Sequence, residues 1–293
     1  MVQFLPSKIQ QLTESTSVAL IQAIARHPIL TPLSQQPIAT TYVHQGKGGT
    51  PILLLHGFDS SVLEFRRLLP LLAAQNDTWA VDMLGFGFTE RLAEVVVSPK
   101  AIATHLYYFW KTLIQTPVIV VGASMGGAAA IDFTLTYPQA VEKLVLIDSA
   151  GFTNPPSIGK FLVPPLDYLA VEFLRRPKVR ERISQNAYCD RTLVSTDALL
   201  CAALHLEMSG WHRALITFTK SGGYRPFRDK LTQIQQPTLI LWGDKDRILG
   251  TRDAEKFQKA ITKSKLIWIE NCGHVPHLEQ PQTTARHILE FIH

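Results

Sequence analysis

The stretch VVGASMGGAAA, residues 120–130, sets one hydroxyl, Ser124, among glycines and alanines directly after an apolar β-branched run. Such a run reads as a buried strand, and the alanines beyond it read as the start of a helix. A serine held on a sharp strand-to-helix turn needs small residues two positions before and two after it, because strand and helix backbones approach closely there. Gly122-Ala123-Ser124-Met125-Gly126 meets that requirement, and Gly127 extends the small surface into the first helical turn.

Outward from this turn the same alternation repeats. TPILLLHGF, TWAVDML, PVIVVGA, VEKLVLIDSAG, TLILWGD and KLIWIENCG read as strands, and PKAIATHLYYFWKTLI, MGGAAAIDFTLTYP, TRDAEKFQKAITK and PQTTARHILEFIH as the helices between and after them. VLEFRRLLPLLAAQ reads as a helix that Pro70 kinks or divides. Residues 7–27 read as an N-terminal helix closed by HPILTP, followed by the strand IATTYVHQ. Strands alternating with helices imply an α/β domain with a mostly parallel, twisted sheet and helices on both faces. Three parts follow: an N-terminal helical extension over 1–35, a core over 36–151 and 236–293, and a helix-rich insertion over 152–235.

Composition narrows the function classes. With 293 residues, 46% of them hydrophobic, the chain can bury a large core. Its formal charge is +5, and residues 160–230 hold 12 Lys and Arg against 7 Asp and Glu, which accounts for all of that excess. No basic run interleaved with aromatics forms a nucleic-acid motif, so nucleic acid is not an expected partner. Arg175, Arg176, Lys178, Arg180 and Arg182 make the densest basic patch; a solvated face is the simpler reading, with weak contact to a membrane surface, here or through the N-terminal helix, left open. The three cysteines, Cys189, Cys201 and Cys272, have no metal-ligand spacing. No leader pattern and no 18-residue apolar run occurs, so a cytoplasmic protein is expected. The sequence carries no signal for an oligomeric state.

In parallel sheets ligands lie beyond the carboxyl ends of the strands. The residues there are His56-Gly57-Phe58, Asp82, Ser124, Asp148, Asp244 or Asp246, and His274. Serine, histidine and aspartate are the types that supply a nucleophile, a base and an orienting acid.

LLLHGF, VDMLGFG, GASMGG, LWGDKD and NCGHVPHLEQP stand in the order of the α/β-hydrolase family, which the chain resembles over nearly all of its length outside the first 35 residues and the insertion. The resemblance implies the α/β-hydrolase fold, with the insertion forming a helical cap after the sixth family strand. It implies Ser124 as nucleophile, Asp246 as acid, His274 as base, and the N–H groups of Phe58 and Met125 as the oxyanion hole. Asp244 and Asp148 are the other candidates for the acid. Asp82 is expected to order the loop after its strand, His56 to brace the oxyanion loop, His277 to be a neighbour of the site and Cys272 a packed thiol. The chain departs from the family at Arg247-Ile248-Leu249, where many members carry a proline soon after the acid. No metal and no cofactor is called for.

Dehalogenases and epoxide hydrolases of the family carry aspartate at the elbow, so Ser124 points instead to attack on an acyl carbon. The apolar insertion implies a small hydrophobic ester as substrate, with Trp211 and Phe161 of the insertion and Val275 of the core as candidate pocket residues. A carbon–carbon bond hydrolase acting beside a ketone is the alternative; it is favoured if Arg175, Arg176 or Arg213 holds a substrate carboxylate. A ligand receptor retaining an idle triad is a third reading.

Overall fold

The short apolar runs become buried strands because no position on them tolerates water: all four residues of Ile52–Leu55 and all six of Val118–Ala123 are buried. The computed structural model describes residues 4–154 and 163–293. Its strands are β1 (Ile24–Ile29), β2 (Ile38–Gln45), β3 (Ile52–Leu55), β4 (Thr78–Val81), β5 (Val118–Ala123), β6 (Val141–Ile147), β7 (Thr238–Gly243) and β8 (Ser264–Ile269). They form one sheet in the order β1-β2-β4-β3-β5-β6-β7-β8. β3 to β8 run parallel, and β1 and β2 join antiparallel at one edge.

The helices are α1 (Ser15–Ala23), α2 (Leu69–Ala73), α3 (Pro99–Phe109), α4 (Met125–Thr136), α5 (Leu166–Arg175), α6 (Pro177–Ala187), α7 (Thr196–Cys201), α8 (Trp211–Lys220), α9 (Ala254–Ala260), α10 (Pro276–Glu279) and α11 (Pro281–Ile292). Alternate strand residues feed opposite layers. Leu53, Leu55, Val120 and Leu146 join one apolar cluster, and Ile52, Leu54, Val121 and Ile147 join the other. This period of two puts helices on both faces and leaves the carboxyl ends of the strands free to carry a site. The insertion supplies α5 to α8 between β6 and β7. No described helix is long and apolar enough to cross a membrane.

The N-terminal region differs from the sequence expectation. The single helix over 7–27 is instead a short turn at Ser7–Gln11, α1, and the strand β1. β1 pairs with β2 along its whole length, from Ile24 opposite Val43 to Ile29 opposite Ile38. Pro28 is tolerated because β1 is the edge strand, where a missing N–H need not interrupt a ladder. Residues 1–35 are therefore no separate helical extension, since their described part completes the sheet. The segment VLEFRRLLPLLAAQ, expected to kink or divide at Pro70, is divided into a single turn at Val62–Phe65 and α2, with Pro70 in the first turn of α2.

Candidate active site

Ser124 sits between β5 and α4 with φ 53° and ψ −119°, a region that L-residues rarely occupy. Its N–H donates to Ile147 O (2.9 Å), and its carbonyl accepts from Gly127 (3.0 Å) and Ala150 (2.9 Å), so backbone bonds on both sides hold the turn. The glycines are a steric necessity: a Cβ on Gly122 would lie 2.2 Å from Gly126 O, and one on Gly126 only 2.0 Å from Leu55 O.

His274 follows β8 and is buried; its Nδ1 lies 2.9 Å from Asp246 Oδ2. The other oxygen of Asp246 accepts from the N–H groups of Ile248 (2.7 Å) and Leu249 (3.1 Å). A proline at either position would remove one of these donors, which gives the departure at Arg247-Ile248-Leu249 a physical meaning. Asp244 is engaged elsewhere, with Cys272 N–H (3.2 Å) and Lys245 Nζ (3.0 Å). The acid that meets His274 is thus Asp246.

Asp148, at the end of β6, is fully buried, and its Oδ1 accepts from Gly243 N–H (3.0 Å). Ligating atoms of Asp148, Asp246 and His274 lie within 4.8 Å of one another, the one such cluster of metal-ligand types among the described residues. Burial, and then the neighbouring Asp246 carboxylate, push the Asp148 carboxyl well above the usual carboxylate range. The shift favours the protonated carboxyl, the form that can donate toward the Asp246 carboxylate.

The loop after β3 runs beside the elbow. A methyl built on Gly57 would sit 3.4 Å from Ser124 Cβ, so the loop that carries Phe58 passes beside the serine that Met125 follows in the chain. Gly57 N–H donates to Glu64 Oε2 (2.9 Å), and His277 Nε2 lies 3.1 Å from Glu64 Oε1. His56 Nε2 accepts from Met83 N–H (3.1 Å), so its proton is on Nδ1, which donates to Gly57 O (2.8 Å). Burial lowers His56 to about 4 and keeps it neutral. Asp82 accepts from the N–H groups of Val62 (2.7 Å) and Phe88 (2.7 Å), ordering its own loop. Cys272 is a buried thiol that burial and Glu279 push up.

Sequence reasoning missed Asp59. This residue, at φ 49° beside Phe58, collects the insertion. Its Oδ1 accepts from Trp211 Nε1 (2.7 Å) and His205 Nε2 (3.1 Å), and its Oδ2 from Arg180 (2.7 Å). Burial raises the Asp59 carboxyl, but His205, Arg180 and Trp211 more than offset that and bring it to about 2. The partners are contributed by three separate segments, so no local pattern could reveal them. Of the candidate pocket residues, Trp211 is 2% exposed and serves this joint; Val275 is half-buried beside His274; Phe161 lies outside the described residues. An aromatic cluster stands at the loop instead: Phe58, 44% exposed, meets Phe86 (6.0 Å) and Phe218 of α8 (6.0 Å).

A sequence model described as the alpha/beta hydrolase family matches residues 52–287. The chain belongs to the alpha/beta hydrolase family. Among relatives of this hydrolase, the alpha/beta hydrolase domain-containing protein VTE7 of Arabidopsis thaliana is 34% identical over 98% of this chain and 89% of that protein. The 2-hydroxy-6-oxo-6-(2'-aminophenyl)hexa-2,4-dienoic acid hydrolase of Metapseudomonas resinovorans is 27% identical over 98% of this chain and 96% of its own. A thermophilic esterase from Thermogutta terrifontis shares the fold with a TM-score of 0.77, at 24% identity over 92% of this chain and 98% of that one.

Proposed function

We propose that this alpha/beta hydrolase cleaves carboxylic esters carrying a hydrophobic acyl or alcohol group. The observation that carries the reading is the buried His274–Asp246 pair at the same edge of the sheet as a serine held at positive φ. With Nδ1 bonded to Asp246, the Nε2 of His274 is left to take the proton of Ser124 Oγ as that oxygen attacks the acyl carbon. The N–H groups of Phe58 and Met125, the latter opening α4, receive the charge that develops on the carbonyl oxygen. His274 then returns the proton to the departing alcohol, and water, activated by the same histidine, releases the acid from the acyl-serine ester. Phe58, Phe86 and Phe218 offer an apolar wall beside the reacting carbon.

The likeness to a dienoic acid hydrolase favours carbon–carbon cleavage as the second reading. That reaction calls for a cation facing the substrate carboxylate, and the candidate arginines have other surroundings. Arg213 donates to the carbonyls of Arg91 (3.1 Å) and Leu92 (2.7 Å). Arg176 is exposed beside Phe173, and Arg175 lies over the Trp211 ring at 6.0 Å.

Hydrolysis of p-nitrophenyl esters from acetate to palmitate, compared with Ser124→Ala, tests the proposal. Loss of at least ~10³-fold in kcat/KM in the variant is expected. Turnover no greater than that of Ser124→Ala at every chain length, with cleavage of a vinylogous diketone acid instead, would replace it by the second reading.

A further inference from the structure

α5 is apolar on two faces, and only one of them is covered. The inward face carries Asp167, Val171 and Leu174, and both acids of the helix are used there or along its flank: Asp167 with Lys220 (2.5 Å) and Glu172 with His212 (2.5 Å), both partners on α8. The outward face carries Leu166, Leu169 and Phe173 at helical spacing, 54%, 57% and 52% exposed, and Val163 just before the helix is 63% exposed. Single exposed leucines are ordinary, but a whole helix face of large apolar side chains on a water-facing surface marks a contact with something else.

The charge around this face indicates the occupant. Because Asp167 and Glu172 are bound to α8, the rim is left mainly to cations. The Arg176 guanidinium lies 5.6 Å from the Phe173 ring at the carboxyl end of α5. Lys178 and Arg182 are exposed on α6, where Glu181 is the single acid. An apolar stripe edged by snorkelling basic side chains is the pattern of a helix that lies in a bilayer interface, with its side chains among the acyl chains and its cations at anionic headgroups.

We propose that the outward face of α5, with Arg176, Lys178 and Arg182, docks this protein on an anionic lipid bilayer. Docking there places the hydrolase one helix from the membrane: α5 packs on α8, and Phe218 of α8 touches Phe58 beside Ser124. A hydrophobic substrate dissolved in the lipid would then enter from the membrane side. The inference stands on the surface of α5 and not on the reaction, and a protein that cannot turn over separates the two.

The test is co-sedimentation of the full chain, as Ser124→Ala, with phosphatidylcholine vesicles made with and without phosphatidylglycerol. The expected result is binding that requires phosphatidylglycerol and weakens as salt is raised. The pair Leu169→Glu with Phe173→Glu should abolish it, and Arg176→Glu with Lys178→Glu should reduce partitioning by about tenfold or more. These residues are exposed, so thermal melts matching the native protein are expected for both pairs. Equal binding to both kinds of vesicle, binding unchanged in both pairs, or no binding alongside a dimer that Leu169→Glu with Phe173→Glu dissociates, would each overturn the proposal; the last assigns the face to a second copy.

Discussion

α4 and α5 are both short and apolar, and the fold treats them in opposite ways. Nine of the twelve residues of α4 are buried, whereas on α5 only Asp167 and Val171 are. α4 is wedged against the sheet by glycines whose added methyls would strike backbone atoms. α5 belongs to an insertion that meets the strand ends through side-chain pairs, above all through Asp59. The contrast separates two kinds of construction around one site. On the sheet side, steric exclusion places Ser124; on the insertion side, buried polar pairs carried by distant segments set the position of the loop beside it.

Removing Asp59 strikes the second construction directly. Asp59→Ala leaves Arg180 Nη1, His205 and the Trp211 N–H without their acceptor, and should lower unfolding free energy by about 3–5 kcal/mol in a urea melt. Asp59→Asn, which keeps the shape, should cost less. A loss no larger than that of an exposed substitution would show that the insertion is held by apolar packing alone. The sign of the pH effect follows from the depressed pKa. Folded Asp59, at about 2 against an ordinary 3.8, stabilises above pH 4 and loses that contribution as pH falls toward 2. In either variant this part of the acid limb should flatten.

Steric exclusion is tested next. Gly126→Ala forces a Cβ against Leu55 O and should destabilise by about 3 kcal/mol, while Leu169→Ser on the open face of α5 should stay within about 0.5 kcal/mol of the native protein. Equal effects of the two changes would erase the contrast between the helices.

The smallest effect is expected at Asp148. As a neutral donor toward Asp246 it is replaceable by Asn, which carries N–H groups, so Asp148→Asn should stay within about threefold of native kcat/KM. Asp148→Ala should lower kcat by about tenfold with KM unchanged, because Asp246 loses a neighbouring donor while its bond to His274 remains. Greater loss with Asn than with Ala would mean that Asp148 works as a carboxylate.

Most of the sheet was legible because burial writes itself into contiguous residues. Six of the strands read from the sequence carry short β-branched runs, and the structure places β3 to β8 on them. β1 was not legible: IARHPI mixes charge and proline, and only its pairing with β2 makes it a strand. The insertion was legible as helical and basic, but neither the joint at Asp59 nor the uncovered face of α5 could be read from spacing.

By itself, the sequence determined what short-range sterics and periodicity impose: the parallel core, the tight turn at Ser124 with its required glycines, and the order of Ser124, Asp246 and His274 along the chain. The family resemblance pointed to Asp246 as the acid, but tertiary structure alone decided that Asp244 turns to other partners, that burial beside Asp246 raises the Asp148 carboxyl, and that Asp59 binds Trp211 from 152 residues away. The physical reason is range. A steric demand acts between neighbours and leaves its mark in adjacent letters, whereas burial and electrostatic coupling depend on which distant segments the fold brings into contact.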